Sequence, residues 1–486
     1  MKSIVRWPKT LEFAGYSCVA MAVALLLPLS VAFYLGDNGL RPILFSIFSA
    51  LALGGLLIGV FRGPVIEFGH REAIIMVLLA WLTVIGLGAL PFYFSNSFGG
   101  LTDATFESAS GFTTTGATIL KNVESLPGSL LLWRSFTHWL GGMGIILLGI
   151  AVLPLIGTGG MALYRAEFAG SISEKLKPRI AETAWSLWSI YASLTLACIL
   201  ALFLAGMTPF DAVAHAFSTM GTGGFSTRNS SIESFESATI EGVIILFMFL
   251  AGLNFTLQYR LFLQRRLQRF LGDRELRVFA GIIAISTIFI TVSLTNVLAI
   301  PWVTAFRSAL FQVVSIQTGT GFSSSDFAQW PPFAQLLLLV LMCIGGCTGS
   351  TTGGLKISRL DMLWQVIRRE FHRMVERRGI FSIHMNGKAV SEHTIQGMLN
   401  LVYLALVIHF VSCLLLTAFG VDVFTSISAV TASIFNIGPG LGQIGPAGNY
   451  SGFTAPVKWV LIFDMVAGRL EFYVFLVVLS RSFWRK

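Results

Sequence analysis

Four short stretches of this chain share a composition that suits one kind of chemistry. They are T-T-T-G at 113–116, G-T-G-G at 221–224, T-G-T-G at 318–321 and I-G-P-G at 437–440. A bare cation crosses a membrane only where something replaces its water shell. Rings of backbone carbonyls do this when four chains or four repeats surround one axis. Carbonyls converge on an axis only where the chain is extended with little side chain in the way, and glycine also admits positive φ. The candidate ion-binding residues are therefore Thr114, Thr115 and Gly116, then Thr222, Gly223 and Gly224, then Gly319, Thr320 and Gly321, and finally Ile437, Gly438, Pro439 and Gly440. The competing reading is that these glycines only ease helix packing, as small residues do in membranes.

The stretches sit in a repeat. DATFESASGFTTTGAT begins at Asp103 and DAVAHAFSTMGTGGFS at Asp211, an offset of 108 without a gap. SALFQVVSIQTGTGFS follows from Ser308 at an offset of 97, and SIFNIGPGLG gives a looser fourth copy. This alignment superimposes Gly116, Gly224, Gly321 and Gly440.

Each loop needs elements to hold it at membrane depth, and the composition supplies them. Of the 486 residues 55% are apolar and only 12% charged, and the mean hydropathy is +0.77. Soluble domains carry roughly 25% charged residues, so a soluble or disordered chain is excluded and a polytopic membrane protein is expected. Apolar windows long enough to cross a bilayer as helix lie near 13–35, 41–61, 73–95, 130–156, 183–206, 239–260, 276–298, 333–353, 395–419 and 456–480. With the N-terminus inside, 26 of the 33 Lys and Arg residues fall on inside segments, as the positive-inside bias requires. Both termini are thus expected to be cytoplasmic, with the basic start (Lys2, Arg6, Lys9) kept as part of a first helix rather than a cleaved signal.

The outside connections 96–129, 207–238, 299–332 and 420–455 each begin with about ten helix-compatible residues, too few to cross, before the Gly-rich cluster. Such segments read as re-entrant half-helices, because irregular backbone survives at membrane depth only where protein buries it or a wet cavity adjoins it. The fold class predicted is all-α, with four span–half-helix–span repeats around one pore plus two extra N-terminal spans. The boundaries are 1–70 for the N-terminal helix pair, 71–160, 180–262, 274–356 and 393–482 for the repeats, and 357–392 for a basic cytoplasmic segment.

The four units together resemble the Trk/Ktr/HKT superfamily of potassium transporters, most closely its TrkH-type bacterial branch. The resemblance rests on GFTTTGAT at 111–118, STMGTGGFST at 218–227, QTGTGFS at 317–323, NIGPGLG at 436–442, GGCTGSTTGGLK at 345–356 and AGRLE at 467–471. It implies potassium uptake across the bacterial inner membrane, a homodimer with one pore per protomer, and gating by a cytosolic nucleotide-binding ring of the TrkA type. The chain itself would need no cofactor beyond the transported K⁺, and any nucleotide would bind the partner. Potassium is then expected at Thr115, Gly116, Gly223, Gly224, Thr320, Gly321, Asn436 and Gly438. A Ser at the first filter glycine accompanies Na⁺ transport in some plant members of the superfamily, whereas this chain has Gly116 there. Pro439 sets the fourth loop apart.

Other residues suggest a gate. Half of the ten residues of GGCTGSTTGG, which ends the window at 333–353, are glycine. Glycine costs about 1 kcal/mol against Ala in a helix, so no stable helix runs through it. Gly345, Gly346, Gly349, Ser350, Thr351, Gly353 and Gly354 are expected to line the cavity beneath the filter, or else to form a Gly-rich helix-packing seam; the resemblance implies that they form a gate loop, together with Arg469 in the last span. An intramembrane charge tends to face a cavity; the alternative for Arg469 is an ion pair with Asp464 or Glu471. Arg134 and His138 are assigned to snorkelling or capping near the outer end of their span. Asp103 and Asp211 are expected to cap their half-helices. Between 356 and 394, Leu363, Val366, Ile367, Phe371, Met374 and Val375 recur at helical spacing among arginines, with an Asn386-Gly387 hairpin turn beyond. Arg368, Arg369 and Arg373 are the candidate partner-docking residues, with anionic lipid as the alternative.

A secondary transporter with broken helices is the runner-up, although that class usually has inverted repeats and these four run the same way. No P-loop, HExxH or phosphorylated-Asp signature supports an enzyme. The five cysteines all lie in apolar stretches and read as buried free thiols.

Overall fold

The computed structural model describes residues 5–63, 69–144, 180–262, 267–376, 379, 381–385 and 388–485. It is an all-α polytopic membrane fold. Among the described residues, six helices are long and apolar enough to cross a bilayer: Trp7–Leu35, Leu40–Phe61, Arg71–Phe94, Trp185–Leu204, Arg274–Leu298 and Glu392–Ala418. Their outward faces keep Phe33, Tyr34, Phe48, Leu204, Tyr403 and Phe410 exposed, as a lipid solvent allows. The five cysteines are free thiols.

Four copies of one motif follow the N-terminal pair. Each has an outer helix (the last four of those six), a half-helix and an inner helix. The half-helices are Leu101–Phe112, Pro209–Gly221, Trp302–Gln317 and Val423–Ile434. The inner helices are Gly128–Gly142, Ala238–Ala251, Pro332–Ile344 and Ala455–Arg469.

The inner helices are shorter than the apolar windows that hold them, and the third ends where the glycine-rich stretch is expected to stop it. They have 15, 14, 13 and 15 residues, about 20–22 Å of helix at 1.5 Å per residue, against a hydrocarbon core of roughly 30 Å. The second turns by 105° into Phe255–Phe262, the third enters the Gly-rich loop, and the fourth restarts as Tyr473–Leu479. The first reaches Met143, and the rest of its predicted span, 145–156, lies outside the described residues. Two of these helices pass very close to the half-helix ends. A methyl group on Gly141 would overlap the Phe112 carbonyl, and one on Gly468 would overlap the Ile434 carbonyl. Hydropathy windows do not register such breaks, because glycine and small residues leave the average apolar.

At the inner end, the amphipathic helix Ile357–Val375 packs Leu363 and Val366 against Met362, Ile383, Ile395 and Met398. Beyond it, His384–Met385 and Lys388–Ala389 pair as an antiparallel hairpin, His384 opposite Ala389. The turn residues Asn386 and Gly387 lie outside the described residues. Trp7, near the start of the described residues, stacks on Trp484 at 6.3 Å, and Arg6 pairs with Glu72 at the start of the first outer helix.

Candidate functional site

Each half-helix delivers its loop with the same hydrogen bonds. Thr115 N donates to Ser110 O at 2.8 Å, Gly223 N to Ser218 O at 2.9 Å, Thr320 N to Ser315 O at 2.9 Å and Ile437 N to Ala432 O at 2.9 Å. One residue earlier, Thr114, Thr222, Gly319 and Asn436 donate to the carbonyl three residues back. Those four residues have φ of 57°, 53°, 69° and 55°, and two positions later Gly116, Gly224, Gly321 and Gly438 have φ of 81°, 81°, 78° and 89°. Left-handed backbone at alternate residues is costly for most L-residues, so glycine holds the second position throughout.

These equivalences correct the register of the fourth repeat. The partner of Gly116, Gly224 and Gly321 is Gly438, two residues before the aligned Gly440. Aligning G-P-G with G-T-G looked for glycine at both left-handed positions. In the fourth loop the first of them is Asn436, which tolerates that conformation better than other non-glycine residues. Gly440 and Pro439 lie beyond the ring, and Gly440 falls level with Thr118, Ser226 and Ser323.

The four loops close on one another. A methyl group on Gly116 would overlap the Gly223 carbonyl, one on Gly224 the Thr320 carbonyl, one on Gly321 the Ile437 carbonyl and one on Gly438 the Thr115 carbonyl. This cycle returns to its start after four steps. On its outer side opens a vestibule lined by Gly116, Gly224, Gly321 and Gly438 among others. Local bonds tune the ring: Thr113 and Thr115 share a hydroxyl bond of 2.8 Å, as do Thr318 and Thr320. Asn436 Nδ2 donates to Thr115 Oγ1 at 2.9 Å, and the Tyr450 hydroxyl donates to Gly438 O at 2.8 Å.

At the outer ends of the first two half-helices, Asp103 and Asp211 lie in the first turn rather than at the N-cap. Thr208 caps the second, and Asp211 accepts from Thr227 Oγ1 at 2.6 Å. Asp103 pairs with Lys458 at 2.7 Å, joining the first repeat to the fourth. Asp422 caps the fourth half-helix, and hydrogen bonds from Thr425 hold its carboxyl below the ordinary range.

Sequence reasoning misplaced Arg134 and His138. Both are buried. Arg134 Nε donates to Glu107 Oε1 at 2.8 Å, behind the first loop, and its guanidinium lies 4.0 Å over the Phe225 ring. His138 stacks on Phe225, which follows Gly224, at 4.1 Å. Neither snorkels. Glu107 escaped notice because its partner lies on another helix, with no local spacing to announce it.

Beneath the ring lies the Gly-rich segment. Gly353 abuts the Phe435 carbonyl at the foot of the fourth half-helix, where a side chain would collide. The Thr351 hydroxyl donates to Met220 O at 3.2 Å and Ala251 O at 3.3 Å, Cys347 N to Gly252 O at 2.9 Å, and Thr348 N to Glu275 at 2.6 Å. Phe255 N donates to Gly349 O at 3.1 Å, Ser350 bonds Thr352 at 2.8 Å, and Gly345 and Gly354 pack backbone to backbone. Gly346 N donates to Thr352 Oγ1 at 3.2 Å. Arg469 spans this segment and the first inner helix: Nη1 donates to Thr351 O at 2.9 Å, Nη2 to Gly141 O at 2.5 Å and Gly142 O at 3.2 Å. Asp464 accepts from Ser412 at 2.8 Å, and Glu471 pairs with Arg359 at 2.7 Å.

The three arginines of the amphipathic helix separate. Arg368 and Arg373 are exposed, whereas Arg369 is 8% exposed and pairs with Glu392 at 2.6 Å. Arg369 therefore fastens the helix to the last outer helix instead of presenting its charge outward. Trp364, Ile367, Phe371, Met374 and Val375 face out beside Arg368 and Arg373.

Comparison with known proteins fits this geometry. A family model described as TrkH, cation transport protein, matches residues 41–486. The Trk system potassium uptake protein TrkH of Salmonella typhimurium is 41% identical, covering 98% of this chain and 99% of its own length. The protein of that name from Escherichia coli K12 is 41% identical with the same coverage. The crystal structure of the potassium transporter TrkH from Vibrio parahaemolyticus superimposes with a TM-score of 0.89 at 36% identity, over 99% of this chain and 100% of the other.

Proposed function

The chain belongs to the TrkH family of cation transport proteins, and from that premise we propose that it takes up potassium across the bacterial inner membrane through the closed ring of four loops. The observation that carries the reading is the cycle in which each of Gly116, Gly224, Gly321 and Gly438 abuts the carbonyl before the next. Four chain segments with the same alternating backbone surround one axis, which is the arrangement that replaces a cation's hydration shell with carbonyl oxygens. The half-helices add the negative ends of their dipoles beneath it. Thr115, Gly223, Thr320 and Ile437 supply one carbonyl layer, and the residues at 114, 222, 319 and 436 the layer below.

The segment at 345–354 and Arg469 are the gate in this reading. A guanidinium held between Thr351 O and the Gly141 and Gly142 carbonyls puts a positive charge beneath the ring, where it repels the permeating ion. Opening requires the loop and Arg469 to move together. The chain acts as a homodimer with both termini cytoplasmic, and a TrkA-type nucleotide-binding ring docks on the exposed basic face around Arg368 and Arg373 to drive that movement.

Purified protein in proteoliposomes tests this, with flux followed by fluorescence as K⁺, Rb⁺, Na⁺ and Li⁺ are offered in turn. K⁺ and Rb⁺ should support flux well above Na⁺ and Li⁺. Folded protein that passes none of them, or all equally, would return the fold to the runner-up reading of a secondary transporter.

A further inference from the structure

The ring repeats fourfold, but the side chains behind it do not. Counting from the shared hydrogen bonds, the half-helix residue one turn before Ser110, Ser218, Ser315 and Ala432 is Glu107, His215, Gln312 and Ala429 in turn. Two residues above the ring glycines, at the same level, stand Thr118, Ser226, Ser323 and Gly440. In the first two repeats these positions bond each other. Thr118 Oγ1 donates to Glu107 at 2.9 Å, and His215 Nε2 meets Ser226 Oγ at 2.9 Å. His215 Nδ1 lies 2.8 Å from Asp211 O, so Nδ1 donates and Nε2 accepts the serine proton. In the third repeat, among the described residues, neither carboxamide atom of the fully buried Gln312 has a partner. In the fourth, Ala429 and Gly440 offer nothing to bond.

The first buttress is the only charged one of the four. Glu107 is wholly buried and also accepts from Ile119 N at 3.0 Å. Arg134 is 2% exposed, and beyond Glu107 its Nη1 donates to Ser226 O at 3.2 Å and its Nη2 to Thr118 Oγ1 at 3.3 Å. One guanidinium thus ties the strand leaving Gly116 to the strand leaving Gly224. Charge-assisted bonds are shorter and about twice as strong as neutral ones, and the planar fork of Arg fixes direction as Lys cannot.

We infer that Glu107 and Arg134 are selectivity-positioning residues, holding the first two filter loops at the spacing that lets their carbonyls prefer one cation. This rests on the filter reading above. Neither residue touches the ion; both act through Thr118, Ile119 and Ser226. Because the pair is neutral overall, its work is geometric, and a variant that keeps the charge while losing the fork should still fail.

Arg134→Lys and Thr118→Val, in proteoliposomes, test the inference through Na⁺ competition against Rb⁺ uptake, with thermal melting measured alongside. Loss of bonds of this class amounts to about tenfold or more, so both variants should lose about tenfold of their discrimination against Na⁺. Thr118→Val removes one hydroxyl and keeps the backbone, so it answers even if Arg134→Lys does not fold. Undiminished discrimination in Thr118→Val, or in a folded Arg134→Lys, overturns the inference, whatever happens to the melting temperature. Gly116→Ser and Gly224→Ser, run in parallel, test the filter itself. Selectivity lost there but kept in the buttress variants refutes only the buttress; selectivity kept in the glycine variants refutes the filter reading.

Discussion

Gly438→Ala and Gly440→Ala differ by two residues and should behave as different classes of mutation. At Gly438 the backbone is left-handed, φ +89°, which costs an L-residue about 1–2 kcal/mol. An added Cβ would also stand under 3.0 Å from Thr115 O and from Gly116 C at 2.8 Å. Both are backbone atoms of the neighbouring filter loop, so relief must come from moving a ring carbonyl. Gly440 is not among the left-handed residues. Its Cβ would meet Ile444 Cδ1 and Ser428 Oγ, each at 2.5 Å, and both are side-chain ends able to turn aside. Turning Ser428 gives up its bond to Leu441 N, worth about 1 kcal/mol. Gly438→Ala is therefore expected to abolish or strongly weaken the preference for Rb⁺ over Na⁺. Gly440→Ala should lower stability by about 1 kcal/mol and leave the preference close to that of the unmodified protein. Rb⁺ uptake into proteoliposomes under rising Na⁺, with thermal melting of the same preparations, measures both. If Gly440→Ala lost discrimination while Gly438→Ala kept it, the register drawn from the hydrogen bonds would be wrong and the alignment right.

Two further outcomes bear on gating. Arg469→Ala, or removal of two or three residues within 347–353, should raise flux in the absence of any partner, because each charge-assisted bond lost from Thr351, Gly141 or Gly142 contributes about 1.5–3 kcal/mol; lower flux from folded protein would assign Arg469 a structural role. Reversing Arg368 and Arg373 together to Glu should abolish co-purification with a nucleotide-binding subunit while leaving ion preference intact, and unimpaired co-purification would favour the lipid surface. Arg369 is left out of that variant because it pairs with Glu392 at the start of the last outer helix, so reversing it would disturb the helix's attachment as well as its outward charge.

What the sequence determined by itself is what composition and periodicity carry. The lack of charge required a membrane fold, the in-register glycine clusters required a common loop, and the short apolar stretches before them required half-helices. These signals are local: hydrophobic windows and glycine positions survive in one dimension because bilayer thickness and backbone sterics act on consecutive residues. Tertiary structure decided the rest. The fourth register depended on Asn436 accepting a left-handed backbone, which pattern matching gives to glycine. Two inner helices approach half-helix carbonyls so closely at Gly141 and Gly468 that no side chain fits there, contacts between segments that no hydropathy average contains. Arg134 resembled an interfacial residue until folding brought Glu107 of a different helix within 2.8 Å, and Arg369 resembled its exposed neighbours until Glu392 met it. A charge in a sequence has a sign and a helical face. Whether it is solvated or buried with a partner depends on residues far along the chain, and only packing brings those together.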